Sequence, residues 1–145
     1  MFPEEPKNSK EKFVSPLQGL PNVLLTPHIG GSTEEAQCNI AEFVSNKLLE
    51  YVKTGSTFSS VNFPRIQLPS LSESHRLLHI HKNVPGVLSQ INTIFARNSV
   101  NVESQILRTN ELIGYVIADV DKNYKDSLLN DLKNVTQTIK LRLLY

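Results

Sequence analysis

The second half of the chain switches between two hydrophobic rhythms, and this switching restricts the fold more than any other feature of the sequence. Four segments are predicted to be strands: 77–81 and 100–107, which alternate apolar and polar residues, and then 113–120 and 139–144. Two segments between them have helical spacing, with apolar faces at Leu88, Ile91 and Phe95 and at Tyr124, Leu128, Leu132 and Val135. The order βαββαβ in about 70 residues predicts an α+β, ferredoxin-like domain, with a four-stranded antiparallel sheet and two helices on one face.

Punctuating residues support this order of elements. Pro85 and Gly86 precede the first helix, and proline suits the first helical position. Asn110 and Glu111 separate the second and third strands and are predicted to form a turn.

The first half is organised differently. Residues 1–22 are rich in Pro, Lys, Asn and Ser and are predicted to be an irregular arm. Residues 23–25 are predicted to be a short strand, which Pro27 ends. Residues 56–76 contain prolines and many serines, so extended structure followed by a linker is expected there.

A long helix is predicted between these parts. Ser32 is expected to cap it in a capping box with Glu35, and Gly55 is expected to end it in the left-handed conformation. Its apolar positions follow helical spacing at Ile40, Val44, Leu48 and Val52.

Composition restricts the compartment and the partners. The 145 residues carry a net charge of +1, so the chain lacks the broad basic field of a nucleic-acid-binding protein. Cys38 is the single cysteine, which excludes an internal disulfide and favours a reducing compartment. The apolar runs are too short to span a bilayer, and the N-terminus has no secretory signal. We therefore expect a cytoplasmic chain with neither nucleic acid nor membrane as a partner.

Residues 24–33, LLTPHIGGST, place His28 on a strand-to-helix loop. A lone histidine on a loop is most often just solvated. However, imidazole titrates near neutrality and can act as an acid or a base, and glycines let backbone approach a ligand closely. The loop therefore has the residue types of a catalytic base beside a cofactor.

Five stretches together resemble one family: FPEEP, NVLLTPHIGGSTEEAQ, GSTFSSVNFP, HIHKNVPGVL and LRLLY. The chain resembles the C-terminal part of the D-3-phosphoglycerate dehydrogenases that carry an ACT regulatory domain, within the wider D-2-hydroxyacid dehydrogenase family. The resemblance covers residues 2–145. It implies that residues 1–66 are the truncated end of the α/β catalytic region of a dehydrogenase. They would be a remnant of its NAD-binding and substrate domains. Residues 67–76 would then be a linker, and residues 77–145 the ACT domain.

The resemblance also implies a chemistry, in which NAD accepts a hydride from the substrate. His28 would be the acid/base and Glu5 its carboxylate partner, although Glu4 competes for that assignment. His28, Ile29, Gly30 and Gly31 would line the cofactor. The sequence contains no GxGxxG motif, and the substrate-binding arginine of the family lies upstream of FPEEP. We therefore expect these catalytic residues to be vestigial, with NAD neither bound nor used by this chain alone.

For the ACT half, the resemblance implies a binding site for L-serine between two paired domains. His81 and Asn83 would come from one subunit and Asn101 from the other. An asparagine amide both donates and accepts hydrogen bonds, as an amino acid with one ammonium and one carboxylate requires. The chain is thus expected to be a homodimer or to associate with a full-length homologue.

Alternatives to this reading remain open. The chain could be a segment of a working NAD-dependent dehydrogenase of serine biosynthesis that another chain completes, or a vestigial interaction protein without a ligand. His79 and His81 form a His-x-His pattern that could chelate a metal, but no cysteine or acidic cluster with ligand spacing accompanies them. No metal site is predicted.

Overall fold

Four antiparallel strands and two of the three helices form the architecture that the second half of the sequence predicts. The computed structural model describes residues 6, 8, 10–71 and 73–145. The elements in chain order are α1 (Glu34–Thr54), β1 (His75–Lys82), α2 (Val87–Arg97), β2 (Val102–Thr109), β3 (Ile113–Val120), α3 (Ser127–Lys133) and β4 (Thr138–Leu144). The chain divides into two compact units, Met1–Ile40 and Ala41–Tyr145.

The sheet has the strand order β2-β3-β1-β4, so β1 and β3 are central and β2 and β4 are its edges. All neighbouring strands are antiparallel, with His79 opposite Val116 on β3 and opposite Leu141 on β4. This confirms the predicted ferredoxin-like fold. The predicted third strand, 113–120, agrees with β3 at both ends.

The main hydrophobic core lies between the sheet and helices α2 and α3. Alternation along β1 and β3 directs every second side chain to this helical face, where helix side chains cover them. The buried residues of this core are Leu77, Val87, Ile91, Phe95, Val100, Val116, Ala118, Val120, Leu128, Leu132 and Val135. Five of these eleven residues lie on the two predicted helix faces, and Val87 adjoins one of them, so the helical spacing located the helical part of the core.

The opposite face of the sheet is covered by the chain that follows α1. Ile66 and Leu68 pack there against Leu78, Tyr115 and Ile117. These two residues alternate with polar neighbours in the sequence RIQLP, as strand residues do, although the segment forms no strand. This face is therefore also dry, and the sheet lies between two covering layers.

Hydrogen bonds hold this covering segment, residues 56–68, in shape. The Thr57 amide donates to the Ile66 carbonyl at 2.8 Å, and the Leu68 amide donates to the Ser56 hydroxyl at 2.8 Å. The predicted domain limits, with a linker at 67–76, stay predictions. Within that range Leu68 is buried, and β1 already begins at His75.

The unit Met1–Ile40 has little regular structure before α1. The strand predicted at residues 23–25 is wrong: this stretch is irregular, and the Leu24 side chain is 88% exposed. A strand needs a neighbour for its backbone groups, and the described part of this unit contains no other strand.

The residue that caps helix α1 lies one position later than the sequence predicts. The hydroxyl of Thr33, not that of Ser32, accepts the Ala36 amide at 3.1 Å, so Thr33 occupies the capping position. The predicted C-terminal stop is confirmed, because Gly55 has a φ of 81°. Within the unit Ala41–Tyr145, α1 leaves its apolar residues largely exposed: Phe43, Val44, Leu48, Leu49 and Val52.

Candidate functional site

His81 lies on the helical face of the sheet, near the end of β1, and is only 3% exposed. Its Nδ1 lies 2.8 Å from the Lys82 carbonyl oxygen. Because a carbonyl only accepts, Nδ1 is the donor in this contact, and in the neutral form of the ring Nε2 is then an acceptor. Among the described residues, this buried Nε2 has no hydrogen-bond partner. An orphaned buried acceptor carries a free-energy cost that a ligand donor could remove.

The strand opposite makes room for this imidazole. Gly114 of β3 pairs with His81, and a Cβ at that glycine would collide with the His81 ring. Gly114 has no positive φ, so the backbone does not demand glycine there. The requirement is space for the histidine.

Asn83 follows β1 directly and is exposed. Its Nδ2 donates to the Asn110 carbonyl at 2.8 Å, and its backbone amide donates to the Leu112 carbonyl at 2.9 Å. The turn at Asn110 is confirmed, since the Asn110 Oδ1 accepts the Leu112 and Ile113 amides. Asn83 is thus held beside His81 at one end of the sheet.

Asn101 lies at the other end of the sheet. It precedes β2 and its carbonyl accepts the Asp121 amide at 3.3 Å, just beyond β3. Its neighbour Val102 pairs with Val120, whereas His81 pairs with Gly114. Six residues of strand between these pairings correspond to about 20 Å. Within one chain, Asn101 is therefore too far from His81 to share a small ligand.

His79 is a second buried histidine on the same face of β1, and its ring centroid lies 5.6 Å from that of His81. Its Nε2 is hydrogen-bonded to the Thr138 hydroxyl at 2.8 Å and also lies 3.3 Å from the Leu132 carbonyl oxygen. Burial lowers the pKa of His79 to about 4, and the nearby His81 adds to this effect. His79 is therefore neutral near pH 7. In the described ranges, no group of three or more His, Cys, Asp or Glu side chains could hold a metal ion.

The loop proposed for catalysis is exposed from His28 to Gly31. The Ile29 amide donates to the Pro27 carbonyl, and the Ser32 amide donates to the Ile29 carbonyl, both at 2.9 Å. The sequence thus forms a compact turn ahead of α1. The predicted partner Glu5 lies outside the described residues, so the pairing with His28 stays a prediction.

Gly30 and Gly31 leave the backbone of this loop accessible. Neither has a positive φ, and a Cβ on Gly30 would meet nothing within 4 Å. Open backbone of this kind can approach a dinucleotide closely. The described residues of the unit Met1–Ile40 nevertheless form an exposed loop rather than a pocket, with no parallel strands to build a dinucleotide site.

Comparison with known proteins shows which families this sequence resembles. Residues 77–140 match the family model of the AHAS small subunit-like ACT domain. Over 145 residues, the chain is 50% identical to a D-3-phosphoglycerate dehydrogenase of Haemophilus influenzae, covering all of this chain and 35% of the relative. Along its whole length, the chain is similar to the C-terminal, ACT-bearing part of D-3-phosphoglycerate dehydrogenases. The family resemblance inferred from the motifs is thereby confirmed.

Other phosphoglycerate dehydrogenases match along the same region. The protein from Escherichia coli strain K12 is 49% identical over 147 residues, and D-3-phosphoglycerate dehydrogenase 1 of Saccharomyces cerevisiae is 41% identical over 160 residues. These matches cover all of this chain but only 36% and 34% of the two relatives. This dehydrogenase-like chain thus spans about a third of the length of the curated relatives it matches.

Among solved structures, the ACT domain from GTP pyrophosphokinase of Chlorobium tepidum superposes with a TM-score of 0.42 and 13% sequence identity. The match covers 48% of the phosphoglycerate dehydrogenase-like chain and 95% of the bacterial domain. No helix in the described ranges is both long and apolar enough to cross a membrane.

The sequence predicted residues that would touch a ligand at the ACT site. It did not predict the residues that support them. Gly114, which makes room for His81, sits in an ordinary strand pattern. Its only signal is a glycine inside a mostly apolar strand, which often marks a close approach by another group.

Proposed function

We propose that this chain is the L-serine-binding regulatory end of a D-3-phosphoglycerate dehydrogenase-like protein of serine biosynthesis, acting in the cytoplasm and inactive as an enzyme by itself. The observation that carries this proposal is the orphaned Nε2 of buried His81, with the amide of Asn83 two residues away. The ammonium or hydroxyl group of serine can donate to Nε2, and the Asn83 amide can bind its carboxylate. Because Nε2 is buried, a ligand reaches it only if the residues that cover it shift.

The separation of Asn101 from His81 supports a site built from two chains. β2 is an edge strand, so its outer backbone groups can pair with a second copy. If two β2 strands pair antiparallel about a twofold axis, the start of one lies beside the end of the other. Asn101 of the second copy would then approach Thr109 and Asn110, and Asn83 already donates to Asn110. A homodimer thereby brings the three predicted ligand residues together.

Calorimetry and sedimentation test this site. We expect the wild-type chain to be a dimer that releases or absorbs heat with L-serine, and Asn101→Ala to lose that heat while remaining dimeric. Asn123→Ala is the matched control, because Asn123 is an exposed asparagine in a loop outside the site. Absence of serine heat in the wild type, or equal binding by Asn101→Ala, would contradict the proposal.

Mixing two variants tests whether one site really takes residues from two chains. Neither His81→Ala nor Asn101→Ala should bind serine as a homodimer. In a heterodimer, His81 of one chain meets Asn101 of the other, so one of its two sites is intact. Statistical exchange should restore about a quarter of the wild-type sites. No recovery, with heterodimers shown by sedimentation or mass spectrometry, would contradict a site built from two chains.

Catalysis by the chain alone is not expected. His28 can act as a base only if the substrate and the hydride acceptor are held next to it. The described residues around it form an exposed loop. We expect no formation of NADH from 3-phosphoglycerate and NAD by the purified chain. Steady NADH production that disappears in His28→Ala would overturn this expectation.

A second candidate function is that another chain completes the dehydrogenase. The half-exposed apolar residues Phe43, Val44 and Leu48 of α1 favour it, because such a stripe normally packs against a partner. A chain that carries the remaining two thirds of a relative should then form a complex with this one. NADH production that requires both chains and His28 would support this candidate over the first.

A further inference from the structure

The C-terminal end of α1 is fastened to the covered face of the sheet by side chains from the two central strands. The last carbonyls of a helix have no partner within the helix. Here Arg76 of β1 donates from Nη1 to the Thr54 carbonyl at 3.0 Å, and the Tyr115 hydroxyl of β3 donates to the Gly55 carbonyl at 2.8 Å. The sheet thus supplies the cap of this helix.

Arg76 is itself held in a fixed orientation. Its Nε and Nη2 donate to the two carboxylate oxygens of Asp119 at 2.6 and 2.8 Å, and Nη1 also donates to the Pro69 carbonyl at 2.9 Å. The Arg76 side chain is only 3% exposed. A buried guanidinium with this many fixed bonds is a rigid connection, because any displacement would leave charged donors unpaired.

Gly55 brings the helix end very close to the sheet. A Cβ at this position would lie 2.6 Å from Leu78 Cδ2 and 2.9 Å from the Tyr115 hydroxyl oxygen. On the edge strand β4, Arg142 adds a contact: its guanidinium lies 4.8 Å from the centroid of the Tyr51 ring, close enough for a cation–π interaction. Contacts from β1, β3 and β4 therefore converge on the last turn of α1.

We infer that Arg76 and Tyr115 form a clamp that makes the last turn of α1 follow the state of the sheet, so that ligand binding at the His81 end of β1 changes the order of that helix end. This inference rests on the proposed serine binding for its ligand. The physical link runs along two paired strands: β1 carries Arg76 near its start and His81 near its end, and β3 carries Tyr115 next to Gly114. α1 is also the helix that follows the His28 loop in sequence, which makes its order a route of regulation in a complete dehydrogenase.

Amide hydrogen exchange of the full chain, followed in peptides covering residues 48–56, tests the clamp. Tyr115→Phe removes one hydroxyl donor, and we expect these amides to exchange about fivefold faster without ligand. Tyr124→Phe is the matched control, because it removes a hydroxyl whose hydrogen-bond partner is His75 Nδ1, at 2.7 Å, rather than a residue of α1. Unchanged exchange in Tyr115→Phe, or equal acceleration in Tyr124→Phe, would overturn the clamp. Should Tyr115→Phe fail to fold, Arg76→Lys, which keeps the charge beside Asp119 but loses the fork of donors, takes its place.

Serine is added in the second arm of the experiment. In the wild type, saturating serine should slow exchange in residues 48–56 at least about threefold, and Tyr115→Phe should bind serine while losing most of this effect. Calorimetric binding with no change in exchange would overturn the coupling and leave the serine site standing. No serine heat at all would overturn the proposed function and the coupling, while the ligand-free comparison still decides whether the clamp exists.

Discussion

Two helices of the molecule carry similar amphipathic patterns and have opposite fates. On α3, Leu132 is 1% exposed because the sheet lies against it, whereas on α1 Leu48 is 60% exposed. Both residues satisfy the same helical spacing in the sequence. The comparison teaches that periodicity identifies the face a helix should bury, but the presence of a partner layer determines whether that face stabilises the fold.

The difference between these helices should be largest in matched leucine truncations. Leu132→Ala should lower the free energy of unfolding by about 2–5 kcal/mol, because it leaves a cavity in the core. Leu48→Ala makes the same chemical change in a helix but should alter it by less than about 0.5 kcal/mol. Urea unfolding followed by circular dichroism measures both. Equal losses would mean that α1 is covered in solution by something that a single chain does not provide.

A pair of glycines sharpens the same comparison at the backbone. Gly19 and Gly55 both have a φ of 81°, but only Gly55 has neighbours close to its missing Cβ. Gly19→Ala should cost about 1 kcal/mol, which is the penalty of a left-handed alanine. Gly55→Ala should cost about 2–4 kcal/mol, because overpacking against Leu78 and Tyr115 adds to that penalty. Thermal unfolding of the two variants measures the difference, and similar melting temperatures would show that the contact at Gly55 relaxes freely.

A further effect appears only on acidification. The pKa of His79 is lowered from 6.5 to about 4 in the folded chain. Between these values the unfolded chain binds a proton that the folded chain does not, so stability falls as the pH drops from 6.5 towards 4. The contribution is up to about 3 kcal/mol and is fully present above pH 6.5.

His79→Gln isolates this contribution, since glutamine keeps a donor but has no charge to gain. Urea unfolding of both proteins between pH 4 and 7.5 should give a shallower pH dependence for the variant. Parallel curves would show that His79 is protonated inside the fold and that its burial is relieved by local motion.

The sequence predicted what depends on regular repetition within the chain. Alternation and helical spacing located all four sheet strands and both covering helices, and the turn at Asn110 followed from its residue types. The strand predicted at residues 23–25 failed because apolar residues before a proline do not supply the neighbour that a strand requires. Thr33 displaced Ser32 as the cap, and these adjacent hydroxyl residues offered almost the same signal.

Other features depend on pairs that are distant in sequence and polar in character. Nothing local indicates that Arg76 caps α1, because its partners Thr54 and Asp119 lie 22 and 43 residues away. The same holds for Gly114, whose role is visible only once β1 and β3 are paired. The predicted ligand residues His81, Asn83 and Asn101 came from family motifs, and the structure adds the burial of His81 and its distance from Asn101.

The layer that covers the second face of the sheet sets the smallest piece of this chain that can be moved between proteins. A gene fusion that begins at residue 77, where the family's ACT match starts, would carry the sheet but leave Leu78, Tyr115 and Ile117 against water. A fragment that begins before Gly55 retains Ile66 and Leu68, which cover that face of the sheet. Recombination that moves such ACT domains between proteins should therefore favour breakpoints upstream of the covering segment.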